Sequence, residues 1–177
     1  APYLERAVAH LLALDPRPDL VLATGDLVDA GRLDEYRRLR AILAPLPMPV
    51  HLIPGNHDLR DNLRAVFADH AYLQDGAFIQ YAIEDHPLRL IGLDTLVPGA
   101  AHGELCDARL DWLEARLAES GRPTLLFMHH PPFSCGIAEF DTMGLEVGAG
   151  RLGELVRRHP QVERILCGHV HRPVQTR

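Results

Sequence analysis

The chain has 177 residues, 47% of them hydrophobic and 24% charged, which is enough apolar material for one globular core and excludes a disordered or fibrous protein. Its net charge of −6, with no basic cluster to offset it, repels polyanions and counts against a nucleic-acid polymer as partner. No apolar run reaches the roughly 20 residues of a membrane span, and the opening residues do not read as a signal peptide.

The sequence starts inside an amphipathic pattern, "APYLERAVAHLLAL", with Leu4, Val8, Leu11 and Leu12 on one helical face. From there, segments of apolar period two alternate with segments of period near 3.6. Residues 18–24 predict a strand, 32–44 a helix, 49–54 a strand and 59–68 a helix. Next, "FIQYAIE" and "LRLIGLD", separated by "DHP", predict two neighbouring strands. Asp107 is then expected to cap a helix with Leu110, Leu113 and Leu117 on its inner face. Residues 123–128 predict a strand, 150–159 a helix and 162–167 the last clear strand. No linker or repeat interrupts this α/β order, and the close strand pair indicates a sheet that is not wholly parallel. Three dispersed cysteines, Cys106, Cys135 and Cys167, form no CxxC pair, which suits a reducing cytoplasm better than a disulfide framework.

Polar clusters follow four of the strands, where ligands bind in α/β folds. They are "GDLVD" (Gly25 to Asp29), "GNHD" (Gly55 to Asp58), "HHPP" (His129 to Pro132) and "GHVH" (Gly168 to His171). With 11 histidines in the chain, one His-x-His pair means little; Asp, Asn and His at successive strand ends mean more. Carboxylate, amide oxygen and imidazole together are the ligand set of Mn, Fe, Co or Zn in a mixed oxygen and nitrogen site, and the lack of cysteine among them argues against structural zinc. If Asp26 bridges two cations, they lie about 3.5–4 Å apart and share a hydroxide suited to in-line attack on phosphorus.

In order and spacing these blocks resemble the calcineurin-like metallophosphoesterase superfamily, whose pattern is D-x-H, G-D-x-x-D, G-N-H-[DE], H-x-P and G-H-x-H. Four of the five blocks are present. "LIGLDTLVPGAAHGEL", "LDWLEARL" and the long loop after "HHPP" narrow the resemblance to class III cyclic-nucleotide phosphodiesterases and the related glycerophosphodiesterases, over essentially the whole chain. The resemblance implies a single αββα domain over residues 1–177, a β-sandwich of mixed sheets flanked by helices. It implies a binuclear, metal-dependent phosphodiesterase that cleaves a small diester, a cyclic nucleotide or a glycerophosphodiester, through a metal-bridging hydroxide. A phosphomonoesterase or lipid-precursor pyrophosphatase of the same superfamily, or a non-catalytic scaffold of this fold, are the competing readings. Homo-oligomerisation is left open.

The resemblance makes Asp26 the bridging carboxylate, gives Asn56, His129 and His169 to one metal, and gives His171 to the other. A turn residue capping the next helix is the competing reading of Asn56. His57 matches the family's substrate-side histidine, which protonates the leaving alkoxide, and Asp29 is expected to orient it through its carboxylate. Asp58 is read as the cap of the helix near Leu59. His130 is assigned to packing or to supporting a ligand, and His51 to a satisfied place in its strand. His10, His70, His86 and His159 read as surface residues. Phe133 and Phe140 in the 131–148 loop, with His102, are candidates for the substrate pocket; packing of the loop on the body, or plain exposure for His102, are the alternatives. The D-x-H block and its strand would precede "APYLERAV", so the sequence is expected to be a segment of a longer protein lacking the first strand and C-terminal strands.

Overall fold

Segments of period two become strands and segments of period near 3.6 become helices. In the computed structural model, which describes residues 2–176, the order is α1 (Pro2–Ala13), β1 (Val21–Thr24), α2 (Leu33–Leu43), β2 (Val50–Ile53) and α3 (Arg60–Val66). A short 3-10 turn (Ala71–Leu73) leads to β3 (Tyr81–Ile83), β4 (Arg89–Gly92), β5 (Gly103–Glu104) and α4 (Asp107–Ala118). The chain then forms β6 (Thr124–Met128), α5 (Ala138–Asp141), β7 (Leu145–Val147), α6 (Ala149–Arg158) and β8 (Val162–Cys167).

The sheets are mixed. β1 pairs parallel with β2, while β3, β4, β6 and β8 form a second sheet in that order, antiparallel at the β3–β4 hairpin and parallel beyond it. β5 and β7 make a small parallel pair that sequence periodicity does not reveal, because runs of two and three residues inside loops carry no period. Among the described residues β1 and β8 each pair along one edge only.

Alternation along β4 and β6 divides the core between two layers. Leu90, Leu125 and Phe127 join Leu52 and Ile53 of β2, Tyr36 and Leu39 of α2 and Leu63 of α3. Ile91, Leu126 and Met128 face the other way and join Leu110, Leu113 and Leu117 of α4 with Leu152 and Leu155 of α6. Helices thus cover both outer faces. The three α4 leucines, spaced to share one face, are each no more than 1% exposed, and burial of each contributes roughly 1.5–3 kcal/mol. Asp107 does not cap α4: Cys106 holds the cap position, and the Asp107 carboxylate, at the first helical residue, accepts from Arg151 at 2.9 Å. On α1 only Val8 is buried, with Leu4, Leu11 and Leu12 half-buried.

Candidate metal centre

β1, β2, β6 and β8 end at Thr24, Ile53, Met128 and Cys167, and the turns that follow are packed against one another. A glycine opens the turns after β1, β2 and β8, where the sequence alone suggests that it lets the backbone turn sharply. At Gly55 and Gly168 the requirement is close approach instead: a Cβ on Gly55 would stand 2.3 Å from the Asp26 amide nitrogen and 2.4 Å from its Oδ1, and one on Gly168 2.4 Å from the Thr24 carbonyl oxygen. Asp26, His169 and His171 themselves adopt left-handed backbone (φ 49°, 66° and 54°), a conformation costing each roughly 1–3 kcal/mol and held here by the surrounding packing.

His129 is fully buried at the centre. Its Nδ1–H donates to the Thr24 carbonyl at 2.8 Å, which in the neutral ring leaves Nε2 as a bare lone pair. Around Nε2 stand Asn56 Oδ1 at 3.1 Å, His169 Nδ1 at 3.2 Å and Asp26 Oδ1 at 3.3 Å. Acceptors gathered around a lone pair repel one another unless positive charge lies among them. Two oxygens and two imidazole nitrogens suit a divalent ion of intermediate hardness, so these residues fit a metal. The buried His169 ring adds that its Nε2 has no hydrogen-bond partner among the described residues. Burial pushes the Asp26 carboxyl up, but the His129 ring in its protonated form, with the His57 amide and ring, outweighs it and holds the group at about 2; with His129 neutral, a bound cation would take that place. Burial, reinforced by His129, pushes His169 down, which keeps it a neutral ligand.

His171 is not among these four: it is exposed at the rim, its ring 5.8 Å from that of Phe140. Phe140, on α5, also packs edge-on against His169 at 5.4 Å. Phe133 lies elsewhere. It is 53% exposed and lines a cleft with Leu166, Cys167 and Val174 beside β8. His102 pairs with Glu146 Oε2 at 3.1 Å, across the β5–β7 pair. The 131–148 stretch, read as a loop, contains α5 and β7.

His57 is half-exposed beside the cluster, its amide donating to Asp26 Oδ1 at 3.1 Å. Its Nδ1–H donates to the backbone carbonyl of Asp29 at 2.7 Å, and this bond, with the nearby carboxylates, raises its pKa against slight burial. The expected carboxylate contact is replaced by that carbonyl, since the Asp29 side chain is 94% exposed with its nearest oxygen 4.0 Å away. Asp58 does not cap α3: Leu59 holds the cap position, and the buried Asp58 carboxylate accepts from the amides of Gly55 and Leu27 and from the Tyr36 hydroxyl. Burial raises its pKa despite those bonds.

His130 is fully buried beside the ligands, its ring 4.8 Å from that of His129 and 4.9 Å from that of His169. The three rings bring nitrogens within 4.8 Å of one another, yet both nitrogens of His130 are engaged, Nδ1 with the Thr95 hydroxyl at 2.8 Å and Nε2 with the Ala101 carbonyl at 3.2 Å. It therefore supports rather than ligates. Burial, with the neighbouring His129 and His169, lowers its pKa to about 3 and keeps it neutral. Thr95, and the fully buried Asp94 that accepts from Arg60 Nε at 2.6 Å, were missed by sequence reasoning, although "LIGLDT" places polar residues after β4 much as the other blocks do. Four readings of other histidines change. Among the described residues His51 has no partner for its buried Nδ1; His70, His86 and His159, read as surface residues, are half-buried, His70 with its Nδ1 at 2.9 Å from the Tyr72 hydroxyl.

The family model for calcineurin-like phosphoesterases matches residues 1–173. The chain belongs to that family. It is 39% identical over 170 residues to a probable glycerophosphodiester phosphodiesterase, GpdQ, of Arcobacter nitrofigilis, covering 96% of this chain and 62% of that protein. To the glycerophosphodiester phosphodiesterase GpdQ of Enterobacter lignolyticus it is 42% identical over 178 residues, with 96% and 62% covered. To the 3',5'-cyclic adenosine monophosphate phosphodiesterase CpdA of Pseudomonas aeruginosa it is 34% identical over 169 residues, with 95% and 60% covered. The chain thus spans about three fifths of the length of these curated relatives. The crystal structure of TT1561 of Thermus thermophilus has the same fold, with a TM-score of 0.59 at 18% identity over 93% of this chain and 74% of that one. Among the described residues no helix is long and apolar enough to cross a membrane.

Proposed function

We propose that the protein carrying this chain hydrolyses a small phosphodiester, a glycerophosphodiester or a cyclic nucleotide, at a binuclear metal centre. The observation that carries this reading is the convergence of Asp26 Oδ1, Asn56 Oδ1 and His169 Nδ1 on His129 Nε2, none farther than 3.3 Å. The names of the curated relatives support the substrate class. Asp26, Asn56, His129 and His169 would hold one ion, and Asp26 with His171 would contribute to a second. Such ions supply, when bound, an acidified water as nucleophile and positive charge against the phosphoryl oxygens.

The chain's own side chains do the rest. Asp26, held ionised, joins the two halves of the site and accepts the His57 amide, which sets His57 beside the reacting phosphorus. With Nδ1 occupied by the Asp29 carbonyl, His57 presents Nε2 to the substrate, the nitrogen from which a proton passes to the leaving alkoxide. The three free cysteines support a reducing compartment such as the cytoplasm.

The test is turnover of bis-p-nitrophenyl phosphate, p-nitrophenyl phosphate, cyclic AMP and glycerophosphodiesters by the purified protein supplied with Mn(II). Diesters should be turned over well ahead of the monoester. A large preference for the monoester would replace this reading with a phosphomonoesterase, and full metal occupancy without turnover would replace it with a scaffold.

A further inference from the structure

The side chains of Asp26 and Asn56 are turned toward His129, so their backbone must be held by something else. One carboxylate does this. Asp58 Oδ2 accepts the amide of Leu27, the residue after Asp26, at 3.0 Å, and the amide of Gly55, the residue before Asn56, at 2.8 Å. The same group therefore fastens the turn after β1 to the turn after β2, next door to a ligand on each side. Its orientation is set from a third element. The hydroxyl of Tyr36, on α2, donates to Asp58 Oδ1 at 2.8 Å and accepts the Leu59 amide at 2.9 Å. Tyr36 is fully buried, so water cannot take over either bond.

We infer that Tyr36 is a positioning residue for the metal centre, its hydroxyl fixing the Asp58 carboxylate that staples the Asp26 turn to the Asn56 turn. The inference rests on the metal-centre reading above. α2 is suited to the task because its first turns also fix the segment between them and the site. Glu35 Oε2 accepts the amides of Ala30 and Arg32, at 3.1 Å and 3.0 Å, next to the Asp29 carbonyl that holds His57. Packing alone would be served as well by phenylalanine. The hydroxyl is what a ring of the same shape cannot replace: without it Asp58 Oδ1 and the Leu59 amide lose their partner, the carboxylate can rotate, and the spacing of two ligand oxygens around His129 Nε2 is no longer set.

The experiment is Tyr36→Phe in the intact protein, titrated with Mn(II) by calorimetry and with Co(II) by absorption spectroscopy, beside a thermal melt without metal. Loss of a group that orients ligands typically weakens metal binding by about 10- to 100-fold, and that drop, with an altered Co(II) spectrum, is the expected result. Unchanged Mn(II) affinity and an unchanged Co(II) spectrum overturn the inference, whatever happens to the melting temperature, because the hydroxyl would then serve the fold alone. Should Tyr36→Phe fail to fold, Asp58→Ala decides instead. It removes the acceptor shared by the Leu27 and Gly55 amides, and the same loss of Mn(II) affinity is expected, with no loss overturning the staple. Wild-type protein that binds no Mn(II) removes the metal-centre reading itself, and the inference with it.

Discussion

His129 Nε2 lies 3.3 Å from Asp26 Oδ1, while His129 Nδ1 donates to the Thr24 carbonyl just before the same turn. The end of β6 is thereby tied to the end of β1 through both nitrogens of one ring. The backbone contact chooses the tautomer and the carboxylate contact uses it, so the lone pair points where Asn56 and His169 also converge. Positive charge at its centre would stabilise such a buried convergence of oxygens and imidazole nitrogens.

Asn56→Ala removes one oxygen from that convergence and leaves the other three groups in place. Metal binding should weaken, and turnover should fall because the ion is missing; raising Mn(II) should then restore much of the rate. Full metal content together with an unrescued rate would show that Asn56 acts on the substrate instead.

His57→Ala should do the opposite. Its ring bonds the Asp29 carbonyl and lies outside the four-residue cluster, so metal content should stay near that of the wild type. Turnover of a diester should fall by about two to four decades, as for a lost proton donor. A diester with a good leaving group, which needs no proton, should lose less than one with a poor leaving group. Loss of metal on elemental analysis would place His57 among the ligands.

The element order and the four strand-end blocks were legible because apolar period and turn residues are local properties of the sequence. The β3–β4 hairpin was legible for the same reason. What was not legible depends on where a side chain turns once the fold closes. An aspartate one residue before a helix expected to start at residue 59 normally caps it, but α3 starts at Arg60, and Asp58 has three donors in reach from the β1 turn, the β2 turn and α2, which prevail over the free amides of α3. Asp29 stands at the right place in its motif, yet the backbone there reaches His57 first. Thr95 and Asp94 escaped notice because a single polar pair after β4 looks like any loop until His130 and Arg60 are found against it. Phe133 and Phe140, alike in composition, separate because α5 carries Phe140 onto His169 and leaves Phe133 beside β8.

Gly55→Ala tests the packing of the two turns. The added methyl would meet the Asp26 backbone and carboxylate and the His129 ring, none of which can retreat without moving the site. Stability should fall by about 1–3 kcal/mol, as for overpacking, and Mn(II) affinity should fall with it. Gly121→Ala, where a methyl meets nothing within 4 Å, is the control and should leave Mn(II) affinity intact. Calorimetric melts and metal titrations on the pair decide it; equal Mn(II) affinity in the two variants would mean that the Asp26 turn can yield freely.

Acid sensitivity should come in part from a region remote from the metal centre. Burial lowers the pKa of His51, whose ring lies 5.2 Å from Tyr72 and 6.1 Å from Tyr81, and burial lowers that of His70 as well. In the unfolded chain both return to the ordinary value of about 6.5, so below that pH the unfolded state binds more protons than the folded one. Their contribution to stability is thus fully present above about pH 6.5 and is lost as pH falls below it. His51→Phe keeps a ring against the two tyrosines and removes the titrating group. Its melting temperature between pH 7.5 and pH 5 should fall less steeply than that of the wild type, while the two proteins differ least in slope above pH 7. Parallel slopes throughout would show that His51 takes up its proton as readily in the folded protein as in the unfolded chain.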